Sequence, residues 1–175
     1  MDEYKDPVIA KIIEKLEAEG PAALQGKYFN GDVLLVPKSE LPICSIAKDT
    51  TRIFPADNMT DDNLMPLVLN VLYDYTADLD QSSDIVAGVT SLYKMMEGRG
   101  EGAGGPYDLN TDSLAYVLRK YQTLDAGNNL WLQVGPNEET AIDYGLGIER
   151  RGPGIFSVEA VIRFSARVHT TRPGL

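Results

Sequence analysis

The sequence has few of the residues on which nucleophilic and metal sites are often built, with one cysteine and one histidine in 175 residues. A single cysteine excludes an intramolecular disulfide and any cysteine-based zinc cluster. Cys44 lies in the apolar run 41–46, which predicts a small, inert core residue. His169 would have to be the base of any Ser-His-Asp or Cys-His arrangement, but its place at the end of the last predicted strand favours a solvated residue.

Long apolar segments and an excess of basic residues are also absent. No stretch approaches the roughly 20 consecutive apolar residues that cross a bilayer, and the start Met1-Asp2-Glu3-Tyr4 lacks the features of a signal peptide. These absences predict a cytosolic protein without a membrane partner. The 26 acidic and 16 basic residues give a formal net charge of -10, which disfavours tight non-specific binding to DNA. An acidic surface could still line a path through which DNA slides.

Three segments have helical periodicity. Asp6-Pro7 predicts a helix start, with Asp6 as the N-cap, and Gly20-Pro21 predicts its end. A second helix is predicted to begin at Ser82 or Ser83, and a third at Thr111 or Asp112. The apolar stripes predicted to face the core are Val8, Ile9, Ile12, Ile13 and Leu16, then Ile85, Val86, Val89, Leu92, Tyr93 and Met96, then Leu114, Val117, Leu118 and Tyr121.

Short or alternating apolar runs predict strands at residues 32–36, 42–47, 67–75, 130–134, 141–149 and 157–169. The segment 52–64, with its proline, asparagine and aspartate residues, is interpreted as an irregular connection. Strand 157–169 has the clearest alternation, with apolar residues at the even positions from 158 to 168. Because it is roughly twice the usual strand length, we expect a long edge strand suited to pairing with a neighbouring subunit.

These elements predict an α+β fold, in which a mostly antiparallel sheet packs against two to three helices, in one domain spanning residues 1–175. Five glycines between Gly98 and Pro106 predict a flexible loop at residues 98–106. The polar segment 170–175 predicts a C-terminal tail that does not fold alone.

No catalytic, cofactor-binding or metal-binding residue is predicted. The glycine-rich segment follows a helix instead of a strand and lacks the Lys-Ser/Thr pair of a phosphate-binding loop. Asp78, Asp80, Ser82 and Asp84 have the spacing of calcium ligands. However, Ser83 stands where the loop needs glycine and Val89 where it needs glutamate, which favours helix capping. The sequence therefore predicts a protein that is not an enzyme.

The order of elements supplies a resemblance to a known family. An amphipathic N-terminal helix is followed by three strands ending in 67–75, then a helix, then closing strands that include 160–168. This layout resembles the tail terminator, or tail completion, proteins of tailed bacteriophages. The resemblance implies a virion protein, made in the host cytoplasm, that forms a hexameric ring at the neck. That ring caps the tail tube and docks to head-side neck proteins, and the genome passes through it.

The resemblance implies as partners the chain itself as a homo-hexamer, the tail tube protein, a head-side neck or connector protein, and DNA in transit. Candidate contact residues with those proteins are Arg99, Glu101, Arg150, Arg151, Arg163, Arg167 and Arg172. The sequence departs from the usual layout by a longer connection at 52–66 and an extra segment at 98–129. These insertions leave open another neck component, such as a head-completion or connector-adaptor protein.

Two further interpretations come from other functional classes. One is a small enzyme or ligand-binding domain with a pocket lined by Tyr73, Tyr75, Tyr93 and Trp131. The other is a regulator that binds a host protein through its acidic surface, although the 26 acidic residues are dispersed and not clustered.

Overall fold

The computed structural model of the chain describes residues 6–31, 36–55, 60–74, 87–100, 105–133, 141–145, 149–152 and 155–171. At positions 55, 87–89, 133, 149–152 and 155–156 the description covers the backbone alone. Over these ranges the chain has three α-helices and nine strands in one mostly antiparallel sheet, which confirms the predicted α+β fold class.

Helix α1 spans Pro7–Glu19, α2 spans Ala87–Met96 and α3 spans Leu114–Lys120. The strands are β1 (Tyr28–Asn30), β2 (Ile43–Lys48), β3 (Arg52–Pro55), β4 (Thr60–Asp74), β5 (Thr123–Asp125), β6 (Leu130–Gln133), β7 (Ala141–Tyr144), β8 (Glu149–Gly152) and β9 (Ile155–Thr171). No helix in the described ranges has the length and apolar character needed to cross a membrane.

The sheet is organised around β4 and β9. These two strands pair antiparallel from Thr60 opposite Thr171 to Asp74 opposite Ser157. β2 and β3 lie along the outer edge of β4, and β1 adds to β2 in a parallel pairing. β8, β7 and β6 follow one another along the outer edge of β9, and β5 adds to β6.

The central position of β9 corrects the prediction that it is an edge strand. β4 covers one of its edges, while β8, β7 and β6 cover most of the other. Its backbone is therefore already paired within the chain and is not open to a neighbouring subunit. The strand also includes Thr170 and Thr171, which were predicted to belong to a polar tail; residues 172–175 lie outside the described ranges.

The prediction of an irregular connection at 52–64 is also wrong. Residues 52–55 form β3, and Thr60–Leu64 form the start of β4. The apolar residues of this segment, such as the adjacent Ile53 and Phe54, do not alternate with polar ones, so it lacks the pattern by which a strand is recognised. Pairing with β9, more than 100 positions later in the chain, imposes the extended conformation.

Other strand predictions had mixed outcomes. Segment 42–47 matches β2 to within one residue, and Cys44 there is buried as predicted, which raises the pKa of its thiol. Segment 67–75 falls within β4 up to Asp74, and segment 130–134 matches β6. Segment 141–149 contains β7 and the first residue of β8. Within the predicted strand 32–36 only Val36 is described, and it is not in a strand, while β1 and β5 were not predicted.

The core lies between the helices and one face of the sheet. On β9 this face consists of Val158, Ala160, Ile162, Phe164 and Ala166, all buried, with Val168 partly buried at its end. In α1 the predicted stripe is confirmed, since Val8, Ile9, Ile12 and Leu16 are buried and Ile13 packs against the core. The opposite face of β9 presents the odd-numbered residues, including Arg163 and Arg167.

The other two helices differ from prediction in detail. In α2 the residues Leu92 and Met96 are buried as predicted, but Met95 faces the core and Tyr93 is exposed. The predicted start of this helix at Ser82 or Ser83 lies outside the described residues. Helix α3 begins at Leu114 with Ser113 as its N-cap, so the predicted start at Thr111 or Asp112 was two or three residues early. Its predicted inward residues Leu114, Val117 and Leu118 are buried, and Tyr121 is partly buried.

The N-cap of α1 gives a testable contribution to stability. One carboxylate oxygen of Asp6 accepts hydrogen bonds from the backbone N–H groups of Val8 (2.9 Å) and Ile9 (3.2 Å), while the carboxylate also pairs with Lys48. We expect Asp6→Ala to lower the free energy of unfolding by about 1–2 kcal/mol, measured by urea denaturation. Asp6→Asn, which keeps a cap oxygen, should lose less. Equal losses of stability in the two variants would show that Asp6 stabilises the fold through its ion pair with Lys48 and not through the cap.

Candidate assembly surface

One end of the sheet forms an extension that we call the arm, made of β3, Thr60–Leu64 of β4 and Arg167–Thr171 of β9. β3 runs antiparallel to β4 from Arg52 opposite Leu64 to Pro55 opposite Asp61. Among the described strands β4 is the only partner of β3, and we call the outer edge of β3 open in the sense that no described strand pairs with it.

The open strand carries two large apolar side chains in contact with solvent. Ile53 is 63% exposed and Phe54 is 48% exposed. Successive strand residues point to opposite faces, so each face of β3 presents one of them. Phe54 shares its face with Asp62 and His169, because these residues stand opposite one another across the three strands.

A charged cluster holds the arm together. The Asp62 carboxylate, in a residue only 6% exposed, accepts hydrogen bonds from Arg167 Nε at 2.8 Å and 2.7 Å and from Arg167 Nη2. His169 Nδ1 lies 3.5 Å from the same carboxylate, and the His169 ring packs edge-on against Trp131 with centroids 4.8 Å apart. The cluster therefore links β4, β9 and β6 through their side chains.

The environment of Asp62 favours its charged form. The hydrogen bond from Arg167 lowers the pKa of the Asp62 carboxyl, burial opposes this, and the charges of Arg167 and His169 lower it further. Nearby, the amide nitrogen of Asn63 donates to Thr170 Oγ1 at 2.9 Å. His169 was predicted to be solvated, but its side chain is only 35% exposed within this cluster.

The three predicted contact arginines whose side chains the structure describes have partners inside the chain. Arg167 pairs with Asp62, and Arg163 pairs with Asp143 on the same face of the sheet. Arg99 follows α2, where its Nε donates to Glu97 at 2.7 Å and its Nη1 to the Tyr107 carbonyl at 2.8 Å.

Among the predicted contact residues with described side chains, Arg163 and Arg167 share one face of β9, whereas Arg99 follows α2. Arg150 and Arg151 lie in β8, with only their backbone described, and Glu101 and Arg172 lie outside the described residues.

A second surface feature is a depression of about 510 Å³, which we call the tyrosine pocket. It is lined by Thr90, Tyr93, Lys94, Glu97, Gly98, Arg99 and Tyr144. The rings of Tyr93 and Tyr144 meet edge to face with centroids 4.5 Å apart. Tyr144 Oη donates a hydrogen bond to Glu97 at 2.9 Å. Burial, and to a smaller extent this hydrogen bond, raises the pKa of the Tyr144 phenol, so the hydroxyl stays protonated and able to donate.

Gly98 lets the chain turn at the base of the tyrosine pocket. Its φ is +53°, and a Cβ atom there would approach the Asn110 Cβ to 2.7 Å. Any other residue would therefore combine an unfavourable backbone conformation with a steric clash.

The pocket predicted from the sequence is not the one observed. Tyr93 lines the tyrosine pocket, but Tyr73 packs against the core and Trp131 packs against His169. Tyr75 lies outside the described residues. Tyr144, the second aromatic wall, was not predicted to line a pocket.

Neither metal-ligating residues nor similarity to known proteins adds evidence about the function of the described surfaces. Within the described ranges no group of three or more histidine, cysteine, aspartate or glutamate residues could hold a metal ion. Comparison of the chain with protein-family models and with curated proteins gives no match. The candidate functional features of the described residues are therefore the arm and the tyrosine pocket.

The contribution of the partly buried Asp62–Arg167 pair can be compared with that of an exposed ion pair on the same face of the sheet. Arg167→Ala leaves Asp62 buried without its main donor, and we expect a loss of about 1–3 kcal/mol in the free energy of unfolding. The side chains of Arg163 and Asp143 are 55% and 64% exposed, so Arg163→Ala should cost less than about 1 kcal/mol. Similar losses in urea denaturation would contradict this role for Arg167.

The lowered pKa of Asp62 predicts a pH dependence. A carboxyl whose pKa is lower in the folded state stabilises the fold fully above its unfolded pKa of about 4, and this contribution is lost as the pH falls through the folded pKa. The stability difference between wild type and Asp62→Asn should therefore shrink between about pH 5 and about pH 3. Asp143→Asn is the exposed control. A difference that stays constant down to the lower pH would show that the charge of Asp62 does not stabilise the fold.

Proposed function

We propose that this chain is a structural ring subunit of a tailed bacteriophage, acting as the tail terminator at the neck of the virion. In this role it assembles with itself as a homo-hexamer, caps the tail tube and joins it to a head-side neck or connector protein. It needs no cofactor and performs no catalysis. The observation that carries the proposal is the arm, whose open edge strand exposes Ile53 and Phe54.

An open edge bearing large apolar residues is a feature that monomeric proteins usually avoid. Single exposed apolar residues are common on protein surfaces and need no explanation. Unpaired strand edges are different, because they offer backbone hydrogen bonds to other chains and are normally blunted by charges or proline. β3 has Arg52 and Pro55 at its ends but Ile53 and Phe54 between them. This arrangement supports contact of the arm with another protein chain.

The charge distribution supports passage of DNA without tight binding. The formal net charge of the chain is -10, which repels phosphate. Arg163 and Arg167, on the sheet face away from the helices, are engaged by Asp143 and Asp62. Their positive charges are thus balanced within the chain, and a ring lumen built from such surface would let DNA slide.

A related neck component, such as a head-completion or connector-adaptor protein, is the nearest alternative. It would assemble through the same arm but bind a different neighbouring ring. Binding to purified tail tube protein favours the terminator, whereas binding to the head-side neck or connector protein alone favours the alternative.

The tyrosine pocket supports a second candidate function, a small ligand-binding domain. Its volume of about 510 Å³ lies in the range of small-molecule sites. A metabolite retained in native mass spectrometry, together with a monomeric mass, would favour this function over the ring.

Light scattering across a concentration series tests the proposed assembly. We expect wild type to reach a ring-sized mass, alone or after addition of tail tube protein. Because burying a large apolar side chain contributes about 1.5–3 kcal/mol, Ile53→Ser with Phe54→Ser should weaken assembly by at least about tenfold.

Phe29→Ser is the matched control, because Phe29 is also partly exposed, at 38%, but lies in β1 away from the arm. Circular dichroism should show all three proteins folded. A wild-type chain that stays monomeric and binds neither tail tube nor neck proteins would refute the proposal.

A further inference from the structure

We infer that the outer part of the arm opens and closes as one unit while the rest of the sheet stays folded. This outer part, which we call the flap, consists of β3 and residues 60–64 of β4, and it opens by separating from β9. The contact of Asp62 with Arg167 is the latch that keeps it closed. The inference goes beyond the proposed function and does not depend on it, because opening is a property of the single chain.

Burial of apolar side chains ends where the flap begins. Immediately beyond the flap in β4, Met65 is 4% exposed and Leu67 is 1% exposed. Among the flap residues whose side chains the structure describes, none is a buried apolar residue, and Leu64 is only partly buried. Because the burial of apolar surface is the dominant favourable contribution to folding, the described part of the flap gains little of this stabilisation.

Polar side-chain contacts instead join the flap to β9. Both oxygens of the Asp62 carboxylate accept a hydrogen bond from Arg167 Nε, at 2.8 Å and 2.7 Å, and one also accepts from Arg167 Nη2. The Asn63 amide nitrogen donates to the Val168 carbonyl at 3.3 Å and to Thr170 Oγ1 at 2.9 Å. Hydrogen bonds between charged groups are stronger than those between neutral ones, which makes the contact of Asp62 with Arg167 the latch.

The flap separates at the boundary between β4 and β9 because β9 is held from its other side. There Arg167 stands opposite Trp131 of β6, and Val168 stands opposite Leu130. Leu130 is 6% exposed and Leu132 is 4% exposed, so apolar burial keeps β6 on this part of β9. Among the described strands β3 pairs only with β4, so β3 moves together with residues 60–64.

A gap in the pairing along β4 marks the hinge. β3 pairs with residues 61–64 and β2 with residues 67–72, so no described strand pairs with Met65 or Pro66 on this edge. The Pro66 carbonyl accepts a hydrogen bond from the Asp49 N–H at 3.0 Å, but Pro66 has no N–H to donate. The edge of β4 is therefore least supported between the flap and the rest of the strand.

Opening of the flap would disrupt the exposed apolar surface of the arm. Ile53 and Phe54 lie on β3, and they are held in register with β9 only while the flap is closed. A partner that recognises the closed arm would stabilise the closed form by mass action. Binding at the arm and closure of the flap are thus coupled.

Amide hydrogen exchange of the full chain, resolved by residue with mass spectrometry, tests the opening. The Pro66 carbonyl faces the β2 edge, and alternate residues of a strand face the same neighbour, so the odd-numbered amides of β4 face β9. Asn63 in the flap and Leu69 in the core are therefore matched probes. After correction for intrinsic rates, we expect Asn63 to exchange at least about tenfold faster than Leu69. The chain is kept dilute enough to be monomeric by light scattering, or carries Ile53→Ser with Phe54→Ser if wild type assembles.

Two substitutions separate opening of the flap from global unfolding. Ile162→Val creates a small cavity opposite Leu69, at a residue that stays packed when the flap is open. It should raise the exchange rate of Leu69 by roughly two- to tenfold and leave that of Asn63 unchanged. Arg167→Ala removes the latch and should raise the exchange rate of Asn63 by at least about fivefold. Arg163→Ala, which removes an exposed pair on the same strand, should raise it less.

The inference is overturned if Asn63 exchanges as slowly as Leu69. It is also overturned if Ile162→Val raises both rates by the same factor, because the flap then opens only with the whole fold. A folded Arg167→Ala chain that keeps the wild-type exchange rate at Asn63 would show that this contact is not the latch. If Arg167→Ala does not fold, Asp62→Asn takes its place, since it weakens the same contact by removing the charge of the carboxylate.

Discussion

The register between β4 and β9 is the constraint on which the rest of the structure depends. These strands of 15 and 17 residues pair without interruption from Thr60 opposite Thr171 to Asp74 opposite Ser157. Every other strand has at most six residues and is attached to this pair directly or through one neighbour. Because short strands and isolated hairpins are only marginally stable in water, pairing with the long strands β4 and β9 stabilises the short ones. A shift of one residue would turn the apolar face of β9 away from the helices.

Different interactions hold β4 and β9 together at the two ends of their pairing. Where the helices cover it, the sheet is stabilised by buried apolar residues such as Leu69 and Ile162. Towards the arm, side chains become exposed, as at Thr170 and Thr171, and apolar burial can no longer hold the strands together. There the Asp62–Arg167 pair supplies specific, charge-assisted hydrogen bonds across β4 and β9.

Local signals account for what the sequence predicted well. The Asp6-Pro7 start of α1 and the alternation in β9 could be predicted because each pattern lies in residues that are adjacent in the chain. The alternation reports which face of a strand is buried but not which edges are paired, so it could not show that β9 is central. β3 was missed for a related reason, since its extended form depends on distant partners. Arg167 was identified as a candidate contact, but its partner Asp62 lies 105 residues away and has no local signature.

The partly buried Asp62–Arg167 pair also explains how β3 can carry exposed apolar residues while the neighbouring strands of the arm stay polar. If Asp62 and Arg167 were replaced by apolar residues, Phe54 would lie on a continuous apolar face beside an open edge, which is a template for uncontrolled aggregation. The ion pair keeps that face polar while linking β4, the strand with which β3 pairs, to β9. A side chain held in place before association loses little conformational entropy when it binds, which favours contact of the arm with another protein chain.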